Sequence, residues 1–199
     1  MAGPDHAGLF GLASSQAGYF TAEQARGAGF SLRLLQHHAE TGRFIRIRRG
    51  LYRLRDYPSS PREEVMAAYL AAGKEGAVIS HESALDLLEL SDTIPDAIHL
   101  SVPRTKRHLP TLPGVAVHTT TRPFGREDVA IRQGMRVTSP LRTILDTAET
   151  GTGPEQVEQA IRAAVNRGLV TPRRLTEAAA SRPQRVSRLI SAALTRVST

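Results

Sequence analysis

The densest concentration of chemistry-bearing side chains in this sequence is a run of arginines. Residues 43–55 contain no acidic residue and six arginines, which are Arg43, Arg46, Arg48, Arg49, Arg53 and Arg55. Guanidinium groups form paired hydrogen bonds with phosphate oxygens, so this composition favours a nucleic-acid ligand. A solvated basic surface without a ligand is the alternative that charge alone leaves open.

Two short motifs have the residue types of enzyme sites but not the arrangement. Ser80, His81 and Glu82 are adjacent at a predicted helix start, where neighbouring side chains diverge and cannot form a proton relay among themselves. Ser80 is therefore predicted to be a helix cap. The segment Gly73-Lys74-Glu75 lacks both the upstream glycine and the Ser/Thr of a phosphate-binding loop.

The remaining polar candidates also have simpler interpretations. His99 and His118 lie in separate predicted strands with no carboxylate at a defined spacing, which is more typical of packed or surface histidines than of metal ligands. Arg142 and Asp146 are four residues apart on one predicted helix, where a local ion pair contributes about 0.3 to 0.5 kcal/mol. We therefore predict no catalytic residue, no metal and no cofactor.

The composition is that of an ordinary globular protein. Of 199 residues, 40% are hydrophobic and 23% are charged, which argues against a disordered or fibrous chain. The absence of cysteine removes disulfides and thiolate chemistry. No apolar run reaches the length of a transmembrane helix, and the N-terminus lacks the features of a signal peptide. We expect a cytoplasmic protein that does not associate with membranes.

The net charge of +7 is concentrated at the two ends of the chain. Residues 1–60 carry eight basic and four acidic residues, residues 61–150 carry ten and twelve, and residues 151–199 carry eight and three. The arginines of the last segment are interpreted as solvated helix faces. An auxiliary DNA contact is the alternative for them.

Helix and turn signals near the N-terminus predict two short helices followed by a hairpin. Thr21 and Gln24 form a capping-box pattern at the start of one helix, and Ser31 is the predicted cap of the next. The alternation of residues 44–48 and the turn Arg49-Gly50 then predict a β-hairpin. Two helices and a hairpin in this order form a winged helix-turn-helix, which places its second helix in the major groove of DNA.

Helical and strand periodicity identifies the side chains that would face DNA. Leu35 and Ala39 are predicted to pack inward, which leaves the opposite face of the second helix to polar residues. In the hairpin, strict alternation predicts that Arg46 and Arg48 share one face. The predicted DNA-binding residues are Ser31, Arg33, Gln36, His37, Arg43, Arg46, Arg48, Arg49 and Arg53.

DNA is favoured over RNA as the ligand. Proteins that read single-stranded RNA stack its bases on aromatic side chains, and this segment offers only Phe44 and Tyr52 for that purpose.

A Pro/Ser-rich segment, 57–61, predicts a domain boundary. We assign residues 1–57 to the DNA-binding domain and residues 62–199 to a second, mixed α/β domain. Short strands are predicted before residue 140, and Ser139-Pro140 begins a C-terminal helical segment. The predicted fold class is α+β, with an N-terminal winged helix-turn-helix.

Three segments together resemble AbiEi-type antitoxins of type IV toxin-antitoxin systems. They are the segment from Gly18-Tyr-Phe-Thr-Ala-Glu-Gln-Ala to Arg43-Phe-Ile-Arg-Ile-Arg-Arg-Gly-Leu-Tyr52, Val78-Ile-Ser-His-Glu-Ser-Ala-Leu85, and Val137-Thr-Ser-Pro-Leu-Arg-Thr-Ile-Leu-Asp146. The resemblance covers nearly the whole chain.

The resemblance implies a DNA-binding autorepressor. Antitoxins of this family bind inverted repeats of double-stranded DNA in their own promoter through the N-terminal domain. Their second domain counters a nucleotidyltransferase toxin without a stable complex. It does not imply an oligomeric state for this chain.

Three alternatives of other kinds remain open at this point. One is an orphan transcriptional regulator without a toxin, and another is a remnant nuclease or other nucleic-acid-processing enzyme. The third is an interaction module whose acidic middle segment binds a protein.

Overall fold

A computed structural model of the protein describes residues 3–73, 76–106 and 111–197. These residues form two compact units, and the chain passes from the first to the second between Gly73 and Gly76. The turn at residues 133–135 is grouped with the first unit. Helices and strands occur in both units, so the fold class is α+β, as predicted.

The first unit is a helical layer on a small antiparallel sheet. Its sheet has the order β1-β3-β2, with both pairings antiparallel. The elements are α1 (His6–Ser14), β1 (Tyr19–Thr21), α2 (Ala22–Gly27), α3 (Leu32–Glu40), β2 (Phe44–Arg48), β3 (Leu51–Leu54) and α4 (Glu63–Ala72). Two short helices followed by a strand hairpin give the winged helix-turn-helix that the sequence predicts.

A polar network fixes the start of α2. The hydroxyl of Thr21 accepts a hydrogen bond from the Gln24 backbone N–H, while Gln24 Oε1 accepts one from the Thr21 N–H at 2.8 Å. The side-chain amide of Gln16, which follows α1, donates to the Tyr19 carbonyl and also bonds with the Gln24 amide. The predicted capping box is therefore confirmed, and it also ties α1 to α2.

An aromatic core holds the helices on the sheet. Phe20 of β1 contacts Phe44 edge to face, with ring centroids 5.0 Å apart, and stacks on Tyr52 of β3. Phe30, which lies just before α3, and Leu35 within it are both fully buried in the same cluster. The position of α3 thus depends on its packing against a strand hairpin that is adjacent to it in the sequence.

Helix α4 belongs to the first unit, whereas the Pro/Ser-rich segment predicted a boundary before it. Met66, Tyr69 and Leu70 of α4 are buried, and the helix packs against β1 and β3. The Pro/Ser segment at 57–61 is a loop within the unit. Proline and serine disfavour regular structure locally but do not prevent the next helix from packing back onto the same sheet.

The second unit contains a mixed five-stranded sheet and four C-terminal helices. The sheet order is β6-β5-β4-β8-β7, with β4 antiparallel to β5, and with parallel pairs β4/β8 and β5/β6. Its elements are β4 (Val78–Ile79), α5 (His81–Leu87), β5 (Ile98–Pro103), β6 (Val115–Thr120), β7 (Val129–Arg132), β8 (Met135–Thr138), α6 (Pro140–Thr150), α7 (Pro154–Asn166), α8 (Pro172–Ala179) and α9 (Gln184–Val197).

Proline and threonine signals begin the C-terminal helices where the sequence predicts them. Pro140, Pro154 and Pro172 each occupy the first turn of a helix. Within the described ranges of the chain, every helix is too short or too polar to span a bilayer.

We predict that Gln24→Ala destabilises the first unit. The change leaves the Thr21 N–H and the buried Gln16 amide without their shared partner, which costs about 1 to 2 kcal/mol of unfolding free energy. Urea denaturation monitored by circular dichroism measures this loss. Glu23→Ala on the exposed face of the same helix is the matched control, and an equal stability of the two variants would contradict the role of the network.

Candidate functional site

Helix α3 presents the predicted DNA-reading side chains to solvent. Leu35 and His38 are buried on its inner face, so the helix can offer only its other side to a ligand. The exposed residues of that side include all four of its predicted DNA-binding residues, Ser31, Arg33, Gln36 and His37.

Two of these side chains also have local partners. The Ser31 hydroxyl accepts a hydrogen bond from the Leu34 backbone N–H at 3.1 Å, which caps the helix. The Gln36 amide donates to Glu40 one turn later at 2.9 Å. Reading a base with Gln36 therefore requires that this exposed bond be exchanged, which costs little at a solvated position.

Leu32 is an exposed apolar residue at the start of α3 that the sequence analysis missed. Its side chain is 64% exposed, beside Arg33. An apolar side chain at this place can contact the methyl group of thymine in a major groove. Periodicity gave no signal for it, because an apolar residue in an amphipathic helix is normally assigned to the core.

The wing departs from the strict alternation that the sequence analysis assumed. The register of β2 and β3 shifts between Arg46 and Arg48, so Arg46 lies opposite Tyr52 while Arg48 lies opposite Leu51. Adjacent residues of β3 face opposite sides, and Arg46 and Arg48 consequently lie on different faces of the hairpin. The prediction that they share a face is wrong.

Arg53 is a structural residue rather than an exposed arginine of the wing. Its side chain is 10% exposed, and its Nη2 donates to the Tyr57 carbonyl at 2.9 Å and to Glu63 at 3.1 Å. Its guanidinium also lies 5.6 Å from the centre of the Tyr19 ring. The assignment of Arg53 as a DNA-binding residue is therefore corrected, because its guanidinium is buried and paired with Glu63 of α4.

The other predicted arginines remain accessible. Arg33, Arg43, Arg46 and Arg49 are exposed and Arg48 is half-buried. In the described residues, no carboxylate forms an ion pair with any of these five guanidinium groups. The face formed by α3 and the wing therefore carries positive charge that is not neutralised locally.

His38 is a buried residue on the inner side of α3. Burial lowers the pKa of its imidazole, and the nearby Arg43 charge lowers it further. The neutral ring packs against Phe30 and Phe44, which lie 5.9 and 5.0 Å away between centroids. His38 is thus part of the core that positions α3, whereas the adjacent His37 is exposed.

A buried network of charges lies in the second unit. Asp146 of α6 accepts two hydrogen bonds from Arg142 Nε at 2.8 and 3.0 Å and pairs with Arg182 at 2.9 Å. All three side chains are less than 10% exposed. The predicted local pair of Arg142 and Asp146 is therefore present, but the small energy expected for it does not apply, because both side chains are buried and also linked to Arg182.

The network continues to the edge of the unit. Arg182 also bonds with Glu149, which in turn pairs with Arg122 at 3.0 Å. Burial alone would raise the pKa of Glu149, but the hydrogen bonds from Arg182 and Arg122 lower it overall. These groups line an open cleft of about 430 Å³, together with Thr119, Thr120, Thr121 and His118.

Three histidines from separate elements meet beside this cleft. They are His81 at the start of α5, His99 of β5 and His118 of β6. Burial and the neighbouring His118 and His99 lower the pKa of His81 to about 2, and burial lowers that of His118. His99 and His118 lie in separate strands, as predicted, and the parallel pairing of β5 with β6 brings the two rings into contact.

Ser80 occupies the N-cap position of α5, as predicted, but its side chain makes no capping hydrogen bond. Its hydroxyl instead contacts His81 Nδ1 at 2.8 Å and accepts a hydrogen bond from Ser101 at 2.8 Å. His81 itself has a positive φ of 52°. A left-handed backbone at a buried residue other than glycine is a strained conformation that the surrounding contacts must maintain.

We predict that Asp146→Ala severely destabilises the second unit. The substitution leaves the buried guanidinium groups of Arg142 and Arg182 with too few acceptors, and breaking a buried ion pair costs about 3 to 5 kcal/mol. Thermal and urea unfolding measure the effect. Glu177→Ala, which breaks an exposed pair with Arg173, is the control and should change stability by less than about 0.5 kcal/mol. Similar effects of both variants would contradict the importance of burial.

A solved structure has a similar fold. The crystal structure of RV2827C protein from Mycobacterium tuberculosis matches with a TM-score of 0.61 and 17% sequence identity, over 95% of this chain and 75% of that chain. At this identity the similarity is evidence for the fold alone. The chain has no match among curated proteins.

Two family models match consecutive parts of the sequence. Residues 9–55 match the transcriptional regulator, AbiEi antitoxin model, and residues 76–195 match the AbiEi antitoxin C-terminal domain. These families comprise regulators and antitoxins rather than enzymes. The second match alone covers more than half of the chain, and it follows the first in the order expected from the two units. The chain belongs to the AbiEi antitoxin family.

Proposed function

We propose that the protein is a DNA-binding autorepressor that acts as the antitoxin of a type IV toxin-antitoxin system. The observation that carries the proposal is the exposed face of α3 beside a wing whose Arg46, Arg48 and Arg49 form no ion pair with any described carboxylate. A helix of this kind enters the major groove, and the wing lies against the DNA backbone. Inverted repeats in the protein's own promoter are the proposed target.

The proposed contacts divide into those that read bases and those that hold phosphates. Arg33, Gln36 and His37 point away from the core and are the proposed base readers. The Ser31 hydroxyl and the free backbone amides at the start of α3 suit a phosphate. The arginines proposed to bind phosphate or the minor groove are Arg43, Arg46, Arg48 and Arg49, on both faces of the hairpin.

The two units have different proposed functions. Residues 1–57 contain the elements needed for DNA binding, and α4 supports them through the Arg53–Glu63 pair. The second unit is proposed to counter a nucleotidyltransferase toxin without forming a stable complex and without catalysis of its own. Since the proposed DNA ligand is chromosomal, we place this activity in the cytoplasm.

We predict that the double variant Arg46→Ala, Arg49→Ala binds all DNA sequences more weakly. Each phosphate contact that is lost lowers the number of counterions released when the protein binds DNA. The affinity should therefore fall at least tenfold, and the slope of log affinity against log salt concentration should become less steep by about two. Fluorescence anisotropy with promoter DNA and a scrambled duplex, at several salt concentrations, measures both quantities.

The matched control removes the same charge from the second unit. Arg173→Ala with Arg188→Ala replaces two exposed arginines of α8 and α9 and should leave the affinity and the salt slope nearly unchanged. If the two double variants weaken DNA binding equally, the wing contributes only nonspecific charge. That result would support an auxiliary role in DNA binding for the C-terminal arginines.

We predict that Gln36→Ala changes sequence preference more than nonspecific affinity. Loss of one bidentate contact should reduce discrimination at a single base pair by about 1 to 3 kcal/mol, while binding to scrambled DNA stays the same. Binding to a set of operators with single base changes identifies the affected position. Glu40→Gln is the control, because it removes a negative charge but keeps an oxygen that can accept the Gln36 hydrogen bond, so it should strengthen binding to every sequence alike.

Co-expression tests the antitoxin part of the proposal. The protein should restore growth to cells that produce a nucleotidyltransferase toxin encoded beside its gene, and the second unit should be required for this rescue. Promoter binding without rescue would instead favour an orphan regulator.

A further inference from the structure

The second unit brings three imidazole rings together from distant parts of the chain. His99 Nδ1 and His118 Nε2 are 2.9 Å apart, and one ring nitrogen from each of His81, His99 and His118 lies within 4.8 Å of the others. The rings of His81 and His118 are stacked with centroids 3.7 Å apart. Hydrophobic packing alone has no preference for three polar rings at this position.

Several polar atoms of this cluster lack a hydrogen-bond partner among the described residues. They include the buried Nε2 of His99 and the Oε2 of Glu82. Glu82 Oε2 lies 3.2 Å from His99 Nδ1, an ion-pair distance whose alignment does not make a hydrogen bond. The other oxygen of Glu82 accepts a hydrogen bond from Thr152. Buried polar atoms without partners are costly, so the Glu82 oxygen beside His99 Nδ1 is suited to a ligand that accepts an electron pair from it. The Nε2 of His99 points away from His118 and takes no part in this argument.

We propose that His81, His99 and His118 bind one divalent transition-metal ion, with zinc as the representative ion. Imidazole nitrogens select zinc and its neighbours over magnesium or calcium, which prefer oxygen. Glu82 contributes its free carboxylate oxygen as the fourth ligand, because that oxygen lies beside the same ring nitrogen of His99 that faces His118. The site is independent of the face proposed to bind DNA, because all four residues lie in the second unit.

The distances require only local adjustment. Two nitrogens bound to the same zinc at about 2.0 to 2.1 Å in a tetrahedron are roughly 3.3 Å apart, so His99 and His118 must separate by a few tenths of an ångström. His81 has to turn from its stacked position so that its nitrogen approaches the other two. Its ring borders the open cleft, which gives it room for this rotation.

The charges around the cluster allow a cation. Arg142 and Arg182 are near His81, but Asp146 neutralises part of their charge and Glu149 pairs with Arg182. Glu82 adds a carboxylate at the histidines themselves. His81 and His118 also line the cleft, so a water molecule can reach a position on the ion that the protein leaves open.

Metal titration of the full-length, untagged chain tests the proposal. After dialysis against a chelator, Co²⁺ should bind in a one-to-one ratio and produce the visible absorption bands of a tetrahedral or five-coordinate site, and Zn²⁺ should displace it. Zinc should also raise the thermal midpoint of the wild-type protein. Elemental analysis of protein purified without added metal should find zinc or a neighbouring transition metal.

Variants identify the ligands. His118→Gln and His99→Gln should each weaken zinc binding at least tenfold and abolish the cobalt bands, and Glu82→Gln should weaken it by a smaller factor. His37→Gln, which changes an exposed histidine of the first unit, should bind as the wild type does. Far-ultraviolet circular dichroism of the metal-free variants confirms that they are folded.

Two results would overturn the proposal. One is the absence of stoichiometric zinc binding by the folded wild type at micromolar concentrations. The other is cobalt spectra and zinc affinity that persist when His99 and His118 are replaced together. If His118→Gln fails to fold, zinc binding by His81→Gln and by the wild type tests the proposal instead.

Discussion

The need to pair a buried guanidinium with a carboxylate organises both units of this protein. The chain contains 24 arginines among its 26 basic residues, and most guanidinium groups can remain in water at little cost. Arg53, Arg142 and Arg182 are exceptions, because tertiary packing buries them. Each has an acidic partner in another part of the fold or one helical turn away, since an unpaired buried charge would cost several kcal/mol. The positions of Glu63 and Asp146 therefore determine which arginines are structural.

The same constraint defines the candidate DNA interface by elimination. Within the run of residues 43–55, Arg53 faces inward and holds α4, while Arg46 and Arg49 remain in solvent. The register shift in the hairpin then distributes Arg46 and Arg48 over both of its faces. A wing that carries charge on two faces can touch DNA along its edge, whereas strict alternation would have charged only one face. The aromatic core under α3 keeps this wing and the reading face of the helix at a fixed spacing.

The second unit shows how sheet topology creates a site that no short motif contains. His99 and His118 are 19 residues apart but adjacent in space, because β5 pairs in parallel with β6. His81 reaches them from the start of α5, directly after β4 on the other side of β5. The positive φ of His81 places its ring beside the other two, and its Nδ1 contacts the Ser80 hydroxyl. The cluster and the buried Asp146 network border one cleft.

Local interactions allowed the sequence by itself to determine most of the element boundaries, and the family resemblance indicated the regulator and antitoxin assignment. Capping residues such as Thr21, Ser31 and Pro140 act within one turn of the chain, so their effect can be read without a fold. Amphipathic periodicity likewise identified the exposed face of α3. Local signals of this kind could not predict four features. These are the burial of Arg53, the placement of arginines on both faces of the wing, the packing of α4 in the first unit and the contact among three histidines. Each depends on burial or strand register between segments far apart in the chain, and only tertiary packing decides which side chains lose their contact with water.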